Sequence, residues 1–429
     1  MRGVRGTRFG VVAVIAAMVA VGSGALAAPA GAQSGGGVPG VTAKQISVGA
    51  LLAKTNPTGI DYQQVADGAQ AYFDIVNKDG GVFGRKLRFT KVLDDQSRSS
   101  KDILGARSLV EESKVFAAFV ATQVFAGADV FAKAGTPTFG YNIQVDWAKG
   151  PSLFGTYGSY LCLDGCLQLA PVYAAQQLGA KHPAVFAYGS SPQSADCATA
   201  VRNTFDKYGP KTAVFDTSLS FGFSANDISG AVQAMKDNQV DFVSTCMDLN
   251  GVVNLKKALE AAGVNGVTFY APQGYDAENL KQLGKDLDGF MFLARFIPFE
   301  AAKGHAGMTE FVAAMKAKGY TPSENYLVGW VGAKLLVEGI KRSGKNFTQQ
   351  PVVDQINKIT DWTADGVMPP VNWTTAHGPS VPGDDDCMTF LAVENGKFVP
   401  KYGQAGKPIL CFPNTPYPAN LNSPAYFGG

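Results

Sequence analysis

The sequence predicts an α/β fold built as two doubly wound lobes joined by three crossovers. Three observations predict it. Short apolar runs of strand length recur between residues 46 and 293, helical stripes separate them, and the alternation breaks at three stretches marked by Gly or Pro. Strand and helix in alternation mean a parallel sheet covered by helices.

The run 46–52 is apolar throughout, as a strand buried on both faces requires. It stops at the polar loop Lys54-Thr55-Asn56-Pro57-Thr58-Gly59. Val65, Ala69, Tyr72 and Val76 then form one apolar stripe, on a helix of about 18 residues that packs against the sheet. Gly80 and Gly81 end this helix, since glycine takes the left-handed conformation of a C-cap. A strand at 87–92 completes the first unit, leading to Asp94 and Asp95.

Further strands are expected at 115–121, 136–141, 183–188, 212–217, 241–245, 267–271 and 290–293. Helices are expected at 101–112, 124–134, 167–178, 195–208, 228–238 and 252–262, and two later ones at 308–318 and 326–342. The pattern hesitates at 156–166, where Gly155, Gly158 and Gly165 cluster, and this reads as the first crossover. The second falls near 295–300 and the third in the Pro-rich stretch 368–381. A hairpin follows, with strands 388–393 and 398–402 joined through Asn395-Gly396.

At 429 residues, 46% hydrophobic and 17% charged, the chain has enough apolar material for two cores. Residues 1–32 read as a secretory signal peptide. Arg2, Arg5 and Arg8 precede an apolar stretch at 11–21, and small-residue cleavage sites follow after Ala27 and Ala32. The alternative, a membrane anchor, is disfavoured because Gly22, Ser23 and Gly24 cut the apolar stretch short of the ~20 residues a span needs. No cysteine near the cleavage sites offers a lipid anchor. The expected location is therefore the periplasm, cell envelope or exterior. Loss of the three arginines leaves 34 Lys+Arg against 35 Asp+Glu, a net charge of −1, and no basic stripe suggests nucleic acid.

In an exported chain, six cysteines favour disulfides. Cys162 with Cys166, Cys197 with Cys246 and Cys387 with Cys411 is the natural set, although six cysteines allow fifteen connectivities. Cys162 and Cys166 have a spacing that zinc sites tolerate, but no second Cys or His pair follows at finger distance. His182, His305 and His377 lie far apart, and no metal or cofactor is expected. Asp384-Asp385-Asp386 lacks the alternating spacing of a calcium loop.

The order of these elements, the turn from Asn77 to Leu87, the strand end at Asp94-Asp95 and the late helix from Tyr326 together resemble the type I periplasmic solute-binding proteins. Within these, the leucine/isoleucine/valine (branched-chain amino acid and amide) group of ABC transporters is most similar, over residues 42–412. The resemblance implies two Rossmann-like lobes, residues 41–160 with 297–365 and residues 161–296 with 366–412, and a flexible tail at 413–429. It also implies a monomer that closes on a small-molecule ligand and presents it to ABC-type permease and ATPase subunits on other chains.

In such sheets ligands sit beyond the carboxyl ends of the strands. The candidates there are Tyr62, Ala121, Thr122, Tyr141, Asn142 and Gln144 on the first lobe and Ser194, Asp248, Gln273 and Tyr275 on the second. Tyr326, at the start of the late helix, matches an aromatic that the family places against its ligand. Each of these could equally be a cap or a loop contact.

The sequence departs from the amino-acid binders. Gln273 stands where the resemblance places an ammonium-binding glutamate, and an amide cannot neutralise a buried ammonium. Asp248 is the alternative anchor. Ala121 and Gln144 stand where relatives use hydroxyls on the ligand carboxylate. A small organic solute of amino-acid-like, amide or aromatic-acid character is therefore expected, with tyrosines offering flat faces and polar tips. An enzyme is not expected, since no nucleophile elbow, phosphate loop, dinucleotide loop or metalloprotease helix is written in the chain. The rival reading is a ligand-sensing or envelope protein on the same fold, feeding a separate signalling partner.

Overall fold

The first apolar run forms β1 (Gln45–Leu52), followed by α1 (Gln63–Lys78) and β2 (Lys86–Asp94). The structure is a computed structural model and describes residues 37–158, 167–377, 386–412, 421 and 423–428. Asn77 locks the turn between α1 and β2. Its Nδ2 donates to the Leu87 carbonyl and its Oδ1 accepts from the Leu87 amide, both at 2.8 Å. The side chain thus replaces a strand partner just where the helix has ended.

α2 (Ser99–Arg107), β3 (Ala117–Ala121), α3 (Ala128–Ala134), β4 (Thr138–Gly140) and β5 (Leu153–Gly155) complete a five-stranded sheet in the order β2-β1-β3-β4-β5. Every pair in it is parallel. β3 is buried at all positions, which explains its unbroken apolar run.

The pattern then repeats. α4 (Leu169–Leu178), β6 (Pro183–Tyr188), α5 (Pro192–Tyr208), β7 (Val214–Leu219), α6 (Ser229–Asp237), β8 (Phe242–Thr245), α7 (Leu249–Ala261), β9 (Thr268–Ala271), α8 (Ala277–Leu283) and β10 (Phe290–Ala294) build a second sheet. Its parallel part runs β7-β6-β8-β9-β10, the same winding as the first. The chain next returns to the first sheet with α9 (Ala306–Ala317), α10 (Glu324–Ser343) and α11 (Gln349–Ile356). It ends in β11 (Asp386–Glu394), β12 (Lys397–Lys401), β13 (Ile409–Phe412) and β14 (Ala425–Phe427), which extend the second sheet antiparallel from β10.

α10 lies against α1 at a separation only glycine permits. A Cβ on Gly329 would stand 1.8 Å from the Val65 carbonyl oxygen, and one on Gly68 would stand 2.0 Å from that of Tyr326. Tyr72 and Trp330 close the same seam edge to face, with centroids 5.0 Å apart. This pairing ties residues far apart in sequence to one sheet. Among the described residues no helix is long and apolar enough to cross a membrane.

Several boundaries differ from expectation. α3 starts at Ala128 rather than near Val124, because the Gly127 amide donates to Asp102 Oδ1 and leaves residues 122–127 as a loop. β5, at three residues, is too short to show periodicity, and α8 and α11, at seven and eight residues, add to the expected helices. Residues 371–377, assigned with the second lobe, pack on β5 of the first. Trp373 meets Phe154 at 5.3 Å, and His377 Nδ1 lies 3.0 Å from the Leu153 carbonyl. The tail read as flexible contributes β14, whose Tyr426 pairs with Leu410.

Two of the expected disulfides are present, Cys197 with Cys246 and Cys387 with Cys411. The second joins directly opposed residues of β11 and β13. Residues 1–32, Cys162, Cys166, Asp384 and Asp385 lie outside the described residues.

Candidate functional site

In a doubly wound sheet, neighbouring loops diverge where the strand order reverses, and this leaves a crevice at the carboxyl edge. Here the reversals lie between β1 and β3 and between β6 and β8. The two crevices face each other. Asn250 Nδ2, at the start of α7, donates to the Thr58 carbonyl at 3.2 Å. Gln273 Nε2, after β9, donates to Tyr141 Oη, after β4, also at 3.2 Å. Asp276 and Ser323 form an isolated bridge beside them.

Tyr62 lies at the centre of this region, 1% exposed, at the N-terminus of α1. Its ring is 6.3 Å from that of Tyr141, and Gln123 hydrogen-bonds its hydroxyl while also donating to Thr58 Oγ1 at 2.8 Å. Burial pushes the Tyr62 phenol well above its ordinary range, so it stays a neutral donor. Tyr141 is 8% exposed.

Around this pair the first-sheet candidates are bound into the scaffold. The Ala121 carbonyl accepts from the Ala53 amide at 2.8 Å. Gln144 Nε2 donates to the Thr122 carbonyl at 2.5 Å, and Asn142 Nδ2 donates to the Gly158 carbonyl at 2.6 Å. Thr122 Oγ1, Asn142 Oδ1 and Gln144 Oε1 are buried with no hydrogen-bond partner. Such groups call for a partner, because each one left alone costs about 1 to 3 kcal/mol.

The second-sheet candidates are mostly structural. Ser194 accepts from the Tyr188 amide at 2.9 Å and donates to the Cys246 carbonyl at 2.5 Å, holding β6 to β8. Asp248 caps α7 through the amides of Asn250 and Gly251, and its Oδ2 accepts from Tyr188 Oη at 2.6 Å. Both of its oxygens are therefore engaged. Tyr275 donates to Glu300 at 2.5 Å, accepts from the Phe299 amide at 2.8 Å, and stacks on Phe299 at the second crossover. Tyr326 stacks on Tyr320 at 4.9 Å, and burial pushes its phenol up to about 12.

Sequence reasoning missed Gln123, Tyr157, Tyr188, Arg295 and Glu324. Tyr157 Oη donates to Glu324 Oε1 at 2.9 Å. Burial raises the Glu324 carboxyl to about 7, against the opposing pull of the Tyr157 hydrogen bond and the Arg295 charge. Tyr188 ends β6 and is covered by the exposed Phe221 ring at 4.0 Å. A signal was present for two of these: Gln123 directly follows Thr122, and Tyr157 lies in the glycine cluster of the first crossover. Glu324 carried none, since its hydrogen-bond partner Tyr157 lies 167 residues away. Among the described residues no three His, Cys, Asp or Glu side chains gather as a metal site.

Two like-wound halves whose strand ends meet across a cleft define the class of bilobed solute-binding proteins. The chain belongs to the periplasmic binding protein family, whose model matches residues 45–397. Solved structures of the same fold include a leucine-binding protein from Thermotoga maritima, at 18% identity, covering 83% of this chain and 97% of that one with a TM-score of 0.66. A solute-binding protein from R. palustris in complex with benzoate matches at 18% identity, 83% and 95% coverage and a TM-score of 0.65. A fatty acid ABC transporter substrate-binding protein from Thermomonospora curvata matches at 16% identity, 85% and 93% coverage and a TM-score of 0.66. At these identities the likeness is one of fold. No curated protein matches the chain.

Proposed function

We propose that this protein is the exported, monomeric solute-binding component of an ABC importer, closing its two lobes on a small organic solute and delivering it to permease and ATPase subunits on other chains. The observation that carries this reading is the meeting of both strand-order reversals in one cleft, bridged by Gln273 to Tyr141 and Asn250 to Thr58. Contacts from both lobes stabilise the closed form, so a ligand touching both shifts the population toward closure.

The cleft favours a solute with an aromatic or amide body over a free amino acid. Tyr62 and Tyr141 supply flat faces with hydroxyl tips, while Gln123 and Gln273 supply amides. Asp248 is already engaged by Tyr188 and the α7 amides and Glu324 by Tyr157, so neither is a ready anion for an ammonium group. Orphaned atoms on Asn142 and Gln144 offer further polar contacts.

A thermal-shift screen across amino acids, amides, urea, aromatic acids, fatty acids and short peptides tests this. Aromatic acids or amides should raise the midpoint without turnover, and Gln273→Ala should weaken the best of them about tenfold, as loss of roughly 1.4 kcal/mol of bridging contact implies. Product formation from a stabilising compound, or stabilisation confined to compounds with a free ammonium, would overturn it.

A further inference from the structure

Asp95 and Asp102 are each 0% exposed. Asp95 follows β2, Asp102 lies in the first turn of α2, and the two carboxyls are within hydrogen-bonding reach of each other. One oxygen of each is held by a backbone amide. Ser97 donates to Asp95 Oδ1 at 2.9 Å and Gly127 donates to Asp102 Oδ1 at 2.5 Å. The remaining oxygens, Asp95 Oδ2 and Asp102 Oδ2, accept from no donor.

Two carboxylates have only acceptors to offer each other, so a hydrogen bond between them requires a proton. Among the described residues, the groups that act most strongly on the pair do not neutralise it. Asp94 adds negative charge from β2, although its own carboxylate is occupied by Thr55 and Gln96. Tyr62, from the start of α1, faces Asp95 as a neutral phenol, and the Thr122 hydroxyl faces Asp102. Arg98 on the same turn is exposed, Lys101 is turned to Gln96, and Asp129 on α3 pairs with Lys149. None of the strongest influences on either carboxyl is a cation. Two buried like charges in contact cannot both stay ionised cheaply.

We propose that Asp95 and Asp102 share a single proton at neutral pH, and that this proton positions the loop 122–127 at the carboxyl edge of β3. The pair joins three segments, the end of β2, the first turn of α2 and the loop itself, through the Gly127 amide. Burial pushes the Asp102 carboxyl up to about 8, so the second proton leaves in mildly alkaline solution. The pair then repels, and the turn that accepts from Gly127 is driven away from Asp95. That this loop lines a ligand site rests on the function proposed above. The shared proton itself does not.

The test uses the whole chain and three proteins: wild type, Asp102→Asn and Asp95→Asn. Asparagine at 102 keeps an acceptor for Gly127 and gives a permanent donor to Asp95, so it mimics the protonated state. The wild-type unfolding midpoint should fall relative to Asp102→Asn by several degrees between pH 5 and 9. Hydrogen-exchange protection of residues 122–127 should drop roughly tenfold per pH unit above the titration in wild type and stay flat in Asp102→Asn. Asp95→Asn should show the same flattening. Parallel stability profiles for wild type and both variants would overturn the shared proton. So would stabilisation of the wild type by millimolar calcium chloride that vanishes in Asp102→Asn, since the pair would then be a cation site. A titration of the midpoint with no change in loop protection would overturn the positioning role alone.

Discussion

Replacing Asp248 by alanine separates a helix cap from a ligand anchor. Asp248 accepts from the amides of Asn250 at 3.0 Å and Gly251 at 3.3 Å, so its loss uncaps α7 at a cost of about 1 kcal/mol. It also strands the hydroxyl of Tyr188, a residue 2% exposed, at about 1 to 3 kcal/mol. The total is about 2 to 4 kcal/mol. With an unfolding entropy of about 2.1 cal/mol/K per residue over a chain of this size, the midpoint should fall by roughly 2 to 4 °C if the lobes unfold together. Thermal and denaturant unfolding measure it. The double variant with Tyr188→Phe should cost less than the two single changes summed, by about 1 kcal/mol, because the stranded hydroxyl is gone. Affinity for a ligand found by screening should change little. An unchanged midpoint with abolished ligand stabilisation would refute this reasoning and return Asp248 to the role of ligand anchor.

Three further outcomes are expected. Gly329→Ala places a Cβ 1.8 Å from the Val65 carbonyl, so α1 and α10 must separate, and a loss of at least about 3 kcal/mol should appear in denaturant unfolding. Glu324 has a folded pKa of about 7, above its ordinary 4.5, so its protonated form is favoured by folding. Stability from this group is full below about pH 4.5 and is lost as pH rises to about 7, a slope of up to about 1.4 kcal/mol per unit that Glu324→Gln should remove in a pH series of melts. Reduction of the disulfides should lower the midpoint by several degrees. Loops of 49 and 24 residues correspond to about 4 and 3 kcal/mol of lost chain restraint, and melts with and without a thiol reductant read the shift.

The fold was legible because its information is local. Each βα unit writes its strand as an apolar run and its helix as a stripe, as 46–52 and Val65 to Val76 do, and repetition of that unit names the class. What stayed illegible was short or non-local. β5 and β14 span three residues each and earn their place only by pairing with neighbours, β5 with β4 and β14 with β13. Residues 371–377 read as part of a crossover, yet Trp373 and His377 find the aromatic surface of Phe154.

The candidate site divides the same way. Strand ends can be read from sequence, and with them the loops that reach the cleft, so Tyr62, Tyr141 and Gln273 can be named as candidates from the chain alone. The sequence alone determined the winding, the lobes' common plan and the loops in which a site could lie, because periodicity and turn chemistry act over a few residues. Only the tertiary structure decided which of those side chains are already committed. Asp248 is engaged by a tyrosine 60 residues away, Glu324 by one 167 residues away, and Asp102 by a glycine amide 25 residues away. A polar group's availability depends on partners that folding brings to it, and those partners are set by packing rather than by neighbours in the chain.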